Sequence, residues 1–553
     1  MSALKIVPLG GMGKVTQNIF LYMYENEILI VDCGIGFPDH RMPGVDILIP
    51  DTSYLHRLLD NENMHIAGMV LTHGHDDHIG ATPYILPELP QFPIYASPLT
   101  AGFAKNRMKE GGAEREITIP QDGSWTNVGK HFEIMPIQVT HSVPDTRHYA
   151  IRTPEGVIYH GSDFKLDQNP VDGIKTDEAL ISQLGDEGIL CMLIDCLRVE
   201  RSEWVKSESE TGPAIAETFA NVPGKVVVTL MSSHIHRIQQ TVDVAVKDGR
   251  KIIFVGRSVE QNVAVALELG KLHIPKGYLI DKKEINNVPD SELCVIIAGS
   301  QGQEGSSLMR AVFGEHRVIS FKENDIVVFS ADAIPGNEIP YFDAIDELSR
   351  NGVRVVYPDV APDIHQSGHA SAPEQRHMLE LARPTFVMPI GGADRHRVKF
   401  IESVAKPEGY EKKQVLMPVT GEIINFEDGQ YSFKGNFSIA PRIVDGLGIG
   451  DVGPQVLSDR MALSESGMIV ILLPRDGKGF DVRNMKIVSR GFVFMKEADD
   501  VITFIHETVG EALQKLPNNM KDSDLKYKVE RKLARKLYKI IRREPLIVVE
   551  ILE

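Results

Sequence analysis

Residues 71–80 read "LTHGHDDHIG", and the rest of the chain is read outward from them. Three histidines and two aspartates fall between His73 and His78, in a chain where only 19 of 553 residues are histidine. The stretch closes the apolar run "IAGMVLTH" (66–73), which has strand length and composition. Imidazole and carboxylate together are ligands for zinc or a similar divalent ion. His73 and His75 flank Gly74, so two rings can converge on one ion across a tight turn. Asp77 and His78 follow directly, displaced towards a neighbouring point, so one turn can feed two ions. A polar loop with solvated histidines is the plain alternative. It would win for one histidine, but not for HxHxDH after an apolar strand.

Two ions need more ligands. His141 in "VTHSVPD" and Asp163 in "HGSDFK" each follow a predicted strand, "FEIMPIQVTH" (132–141) and "GVIYHGSDF" (156–164). Open α/β sheets place function at the carboxyl ends of their strands, so convergence is expected. A carboxylate such as Asp163 can bridge two ions.

The remaining sequence bounds the setting. A chain of 553 residues predicts roughly two to four domains. No apolar run is long enough for a membrane span, and "MSALKIVPLGG" reads as a first strand, not a signal peptide. Cysteines 33, 191, 196 and 294 form no CxxC pair and sit in or beside apolar runs. Buried reduced thiols and a cytoplasmic location are expected. The net charge of −17 argues against a basic coat for nucleic acid, though not against a locally positive groove.

Near "SESETGP" (207–213) the texture changes. "KVVVTLMSS" (225–233), "HIHRIQQTVDVAVKDG" (234–249) and "KIIFVGRS" (251–258) alternate strand and helix, the rhythm of a helix-covered parallel sheet. The rhythm runs to "GVRVVYPD" (352–359). A polar, Gly-rich stretch at 434–452 reads as a linker to a smaller segment. There Leu525, Val529, Leu533 and Leu537 mark one face of a basic helix over 526–543. A solvated face beside an oligomer contact is the commoner role for such a helix. "GGMGK" (10–14) is not a nucleotide loop, because Val15 follows the lysine and Pro8 replaces the first glycine. A tight turn between two strands is expected there.

HxHxDH, then a lone histidine, then a lone aspartate, each after a strand, resembles the metallo-β-lactamase fold. The insertion after residue 206 resembles a β-CASP domain. "GGMGKVTQN", "LTHGHDDHIG", "VTHSVPD", "GSDFK", "SSHIHRIQQ", "GSQGQEGSSLMR", "AIPGNE", "HQSGHA" and "SRGFVF", in this order, are similar to the bacterial ribonuclease J family over nearly the whole chain. The resemblance implies an αββα sandwich (1–206, completed by 365–433), an inserted α/β β-CASP domain (207–364) and a small α+β C-terminal domain (453–553). His73, His75 and His141 would hold one zinc, Asp77 and His78 a second, with Asp163 bridging. Mn²⁺ or Mg²⁺ are alternative ions. Asp77 would also orient the attacking water. Asp195 in "MLIDCLRVE" matches an acidic motif behind the metals, and His369 a histidine acting near the leaving group. Ser232, Ser233, His234 and the loop His365, Gln366, Ser367, Gly368 and His369 match regions that grip RNA phosphates. Without the family, Ser232 and Ser233 read as a helix N-cap, itself an anion site.

The implied activity is metal-dependent hydrolysis of single-stranded RNA. It would run 5′ to 3′ with a preference for 5′-monophosphate ends, together with endonuclease cleavage, in a homodimer or homotetramer formed through the C-terminal domain. The family's last metal histidine is absent: Gly391 in "MPIGGADRH" (388–396) stands in its place. Ala393 replaces a usual glutamate and Lys14 a usual acidic residue. One tight and one weaker ion are therefore expected, with water, Asp394 or His396 filling the gap. Two rivals follow. One is an RNA-binding subunit weakened in catalysis, tested by metal-dependent cleavage. The other is a thioester or lactone hydrolase of the same fold, which would not need so large an inserted domain.

Overall fold

A computed structural model describes residues 3–39, 41–334, 337–446, 448–477, 479–492, 499–517 and 520–553. Parts of "AIPGNE" and "SRGFVF", and the first two residues of the N-terminal strand reading, lie outside the described residues. The chain packs as two compact units, 1–37 with 48–442, and 38–47 with 443–553.

In the first unit two sheets face each other. One has eight strands in the order Gln430–Asn436, Glu422–Glu427, Leu4–Pro8, Phe20–Tyr24, Glu27–Val31, His65–Leu71, Ile94–Ala96 and Ile117–Thr118. The other has six: Phe386–Ile390, Ile189–Asp195, Gly156–His160, Arg147–Thr153, Phe132–Gln138 and Thr126–Val128. Successive strand residues point to opposite faces. Tyr22, Leu29, Val31 and Val70 of the first sheet therefore meet Ile134, Tyr149, Ile158 and Leu193 of the second in one core. The alternate residues of the second sheet, among them Ile137, Tyr159 and Ile194, pack under helices Glu178–Glu187 and Ala372–Ala382 through Ile181, Leu184, Met378 and Leu379. This is the expected sandwich.

The insertion forms a separate five-stranded sheet ordered Lys251–Val255, Leu293–Ile297, Val226–Thr229, Ile326–Phe329 and Arg354–Val356, every pair parallel. Parallel neighbours need crossovers. Helices such as Ile235–Lys247, Arg257–Glu268 and Glu338–Arg350 supply them and cover the sheet.

Two local expectations change. The stretch 434–452 is not bare linker: strand Gln430–Asn436 runs into it, pairing with Glu422–Glu427, and Arg442–Asp445 pairs with Gly448–Ile449. "GGMGK" belongs not to a tight turn but to the long loop between Pro8 and Phe20, closed by Leu9 N–H to the Ile19 carbonyl (3.0 Å). The loop is long because it packs under the metal-ligand turn, where Asn18 N–H donates to the Asp77 carbonyl at 3.1 Å.

In the second unit, strand Met468–Asp476 alternates, burying Ile469, Ile471 and Leu473. Helices Asp499–Gln514 and Asp522–Ile541 pack on it. Leu525, Val529, Leu533 and Leu537 form the buried face, as their spacing predicts. The four cysteines are free and buried. No helix among the described residues is long and apolar enough to cross a membrane.

Candidate metal centre and RNA-contact loop

Every predicted metal ligand lies just beyond a strand, on one edge of the sandwich. Strand His65–Leu71 delivers His73 and His75, and the short helix Asp76–Ile79 carries Asp77 and His78. Gly74 is needed between the two rings, since a Cβ there would stand 2.4 Å from the Phe103 ring. His141 follows Phe132–Gln138, and Asp163 follows Gly156–His160.

Three ring nitrogens converge. His73 Nε2 lies 3.1 Å from His75 Nδ1, and His141 Nε2 lies 3.2 Å from the same atom. Asp163 Oδ2 closes the set, 3.6 Å from His73 Nε2 and 3.8 Å from His141 Nε2. A tetrahedral ion with bonds of about 2.1 Å needs ligand-to-ligand edges of about 3.4 Å, so these four atoms fit one. The rings are neutral, as ligands must be. Burial holds His75 down at about 3, and burial with the neighbouring histidines holds His73 and His141 well below the usual range. The far nitrogens are held too. His141 Nδ1 donates to the Gly368 carbonyl at 2.7 Å, and His73 Nδ1 lies 3.1 Å from the Thr72 hydroxyl. Such partners fix tautomer and ring orientation.

The second set shares Asp163 Oδ2, which is 3.6 Å from His78 Nε2. Asp77 Oδ2 stands 3.7 Å from the same nitrogen. His78 Nδ1 is held by Asp32 at 2.7 Å. Burial opposes a charge on His78, yet Asp163, Asp77 and Asp32 overcome it and raise its pKa well above the ordinary range, so an ion bound at Nε2 would displace a proton there. That surplus of carboxylate suits a cation. Burial pushes the Asp77 carboxyl up to about 6.

Gly391 follows strand Phe386–Ile390, beside Asp195 at the end of its parallel neighbour. A Cβ on it would lie 3.4 Å from Asp195 Oδ1 and 3.7 Å from Asp163 Oδ1, so the position faces the site. The proposed substitutes do not. Asp394 is largely exposed and pairs with Arg397 at 3.2 Å, while His396 turns to the Ala393 amide (3.3 Å) and Glu200 (3.6 Å). Both ride on the helix Asp394–Phe400, which carries their side chains away from the carboxylates.

His369 stands over the bridge. Its Nδ1 is bound to Asp195 Oδ2 at 2.8 Å, leaving Nε2 4.0 Å from Asp163 Oδ2. Burial works against protonation, but Asp195 and Asp163 win and hold the ring at about 9. It can therefore donate a proton from Nε2.

The rest of the loop is brought in with it. His369 N–H donates to Ser367 Oγ (3.1 Å), and Gln366 is buried. Ser232 and Ser233 are not the cap of helix Ile235–Lys247. His234 N–H closes a turn to the Met231 carbonyl (2.9 Å) with the serines in its middle, and His234 Nδ1 then takes the Arg237 N–H (3.4 Å) as the cap. His234 Nε2 lies 3.3 Å from Glu208. Local reading missed Asp32, Thr72, Glu208 and Arg237. Only the charge on Arg237 within "HIHRIQQ", on a helix otherwise turned to a core, signals one of them.

Ligands at strand ends of a double-sheet sandwich, with a separate parallel sheet inserted between its halves, define a metallo-β-lactamase-fold protein with a β-CASP domain. Family models agree: a beta-lactamase superfamily domain matches 27–214, the Ribonuclease J beta-CASP domain 223–348 and the Ribonuclease J C-terminal domain 455–553. The chain is 36% identical to Ribonuclease J of Thermus thermophilus over 99% of its length and 95% of that protein. It is 34% identical to Ribonuclease J 1 of Streptococcus pyogenes, over 98% and 96% respectively. The chain belongs to the ribonuclease J family. A crystal structure of a protein of unknown function from Enterococcus faecalis V583 shares the fold, with a TM-score of 0.54 over 76% of this chain and 100% of that one, at 15% identity.

Proposed function

We propose that this chain is a metal-dependent ribonuclease that hydrolyses phosphodiester bonds of single-stranded RNA, 5′ to 3′ from monophosphate ends and also internally. The observation that carries this reading is the convergence of His73, His141 and His78 on one oxygen of Asp163, with His75 closing the set against His73 and His141 and His369 Nε2 poised 4.0 Å from the same oxygen. Bound divalent ions, zinc at the three-histidine set and zinc, Mn²⁺ or Mg²⁺ at the other, would supply a water acidified towards neutral pH and offset charge on the phosphate oxygens. Asp77 can accept a hydrogen bond from the attacking water and so aim it. Asp195 orients His369, whose Nε2 proton goes to the departing 3′-oxygen. The C-terminal unit is read as the self-association surface, because helix Asp522–Ile541 leaves Tyr527, Tyr538 and Ile540 exposed.

Purified chain is expected to cleave a 5′-monophosphorylated RNA only with divalent metal. Asp77→Ala should lose about 10²-fold or more, since even outer-shell losses cost about 10–100-fold. Cleavage that persists in chelator, or in Asp77→Ala at the wild-type rate, rules the reading out. Absence of cleavage by a correctly folded, metal-loaded chain that still binds RNA would favour the weakened-subunit reading, which Gly391 alone supports.

End preference is the second expectation. Ser232, Ser233 and His365 are read as the residues that would take one terminal phosphate: the serines precede the N-terminus of the helix Ile235–Lys247, where anions are favoured, and His365 Nδ1 lies 2.6 Å from Arg237 on that helix. A 5′-triphosphate brings extra bulk and charge. The monophosphate RNA should be degraded faster than the triphosphate form of the same molecule. Equal exonucleolytic rates on the two would remove the end pocket.

A further inference from the structure

We infer that Arg237 is a positioning residue that fixes the 365–369 loop and presents His365 to the RNA end as a neutral Nε2–H donor. This rests on the proposed end pocket and names the residue that builds it.

Arg237 is buried, with 1% of its surface exposed, and lies on the inserted domain's helix Ile235–Lys247. An arginine has five N–H donors in a rigid fork. Here all five are committed. Nε and one NH2 proton hold both oxygens of Glu208, at 2.8 and 2.6 Å. The other NH2 proton goes to the Gln366 carbonyl at 3.0 Å. NH1 serves the Ser330 carbonyl at 2.9 Å and His365 Nδ1 at 2.6 Å.

Guanidinium cannot accept, so His365 Nδ1 must be the acceptor and the ring proton must sit on Nε2. Burial first, and then the cation, disfavour a second proton on that ring, whose Nε2 lies 3.6 Å from Oδ2 of the half-exposed Asp332. Two of the five donors fix the loop at successive residues, His365 and Gln366, and the other three tie the fork to Glu208 and Ser330. Three residues on, Gly368 gives its carbonyl to the metal-ligand ring of His141 at 2.7 Å, and His369 meets Asp195. One short loop therefore has the fork at one end and the metal centre at the other. The anchor is shared with the sandwich: Glu208 N–H donates to Asp167 Oδ2 at 2.8 Å, and Asp167 lies four residues beyond the bridging Asp163. A lysine would preserve the charge but not the fork.

The test compares wild type, Arg237→Lys and His365→Asn as full, metal-loaded chains. Each is given the same RNA with a 5′-monophosphate or a 5′-hydroxyl, and kcat/KM is measured for both. Uridine 5′-monophosphate binding and thermal melting are measured alongside. Arg237→Lys is expected to lower the monophosphate-to-hydroxyl ratio of kcat/KM about tenfold or more, the worth of one charge-assisted hydrogen bond. It should weaken uridine monophosphate binding by the same factor. A scaffold defect alone would lower both RNAs alike and leave the ratio unmoved. If Arg237→Lys fails to fold, His365→Asn decides. Asparagine keeps the acceptor for Arg237 but has nothing at the Nε2 position, so the ratio should fall with the fold intact. Folded variants that keep the wild-type ratio would overturn the role of Arg237. A wild-type chain with no end preference would instead sink the end pocket itself.

Discussion

Replacing His369 by alanine is expected to slow bond cleavage about 10²–10⁴-fold while changing RNA affinity by only about threefold. The reason is geometric. Nδ1 is committed to Asp195 at 2.8 Å, so Nε2 is the sole proton-carrying atom the ring can turn towards the bridge. A proton given to the leaving 3′-oxygen matters only as the bond breaks, so its loss falls on turnover and not on binding. Single-turnover cleavage with saturating enzyme, and binding measured separately in Ca²⁺, distinguish the two. Asp195→Asn should be milder: the amide oxygen can still accept from Nδ1, but the charge that favours the imidazolium is gone. A large fall in affinity with an unchanged cleavage rate would make His369 a phosphate clamp instead.

The second large effect concerns metal content. After mild chelation the chain should keep one ion firmly and lose another, and activity should rise again as divalent metal is returned. The first set has three neutral imidazoles and Asp163 at tetrahedral spacing. The second has Asp77, His78 and the shared bridge, and Gly391 adds nothing. Loss of a ligand should cost at least the roughly 10–100-fold seen for outer-shell changes. Gly391→His probes the gap from the other side. Its first atom would fit, at 3.4 Å from Asp195 Oδ1, but the backbone there has φ +67°. A side chain in that region costs about 1–2 kcal/mol, comparable to tenfold in affinity, about 1.4 kcal/mol. The variant should hold the second ion more tightly yet melt lower. Metal analysis per chain and a melting curve read both. Two ions retained equally by the unaltered chain would show that another residue completes the set.

Much of the site was legible locally. HxHxDH at the end of "IAGMVLTH" placed four ligands, because a strand end and a turn fix direction within a few residues. The four-residue repeat from Leu525 to Leu537 was legible for the same reason: helical spacing alone puts those residues on one side. The β-CASP alternation showed as continuous apolar strands, which a parallel sheet buried on both faces requires. Placing His141, Asp163, Asp195 and His369 needed either the strand-end rule or family resemblance, since each is an isolated residue in its own stretch.

What tertiary structure alone decided are the partnerships across long separations. Gly368 and His141 are 227 positions apart, and Arg237 and His365 are 128 apart. Local spacing carries no information about such pairs, because they exist only once the two sheets and the inserted domain have packed. Tertiary structure also overruled two local readings. Ser232 and Ser233 have the better cap propensity, but a turn to Met231 moved the helix start to His234. Asp394 and His396 are close to Gly391 in sequence, but the helix that begins at Asp394 turns their side chains elsewhere. The sequence by itself determined which side chains can bind metal and at which strand ends they lie. The packed chain determined which atoms of those side chains are free to do so, because a buried donor or acceptor must first be satisfied by whatever neighbour the fold brings to it.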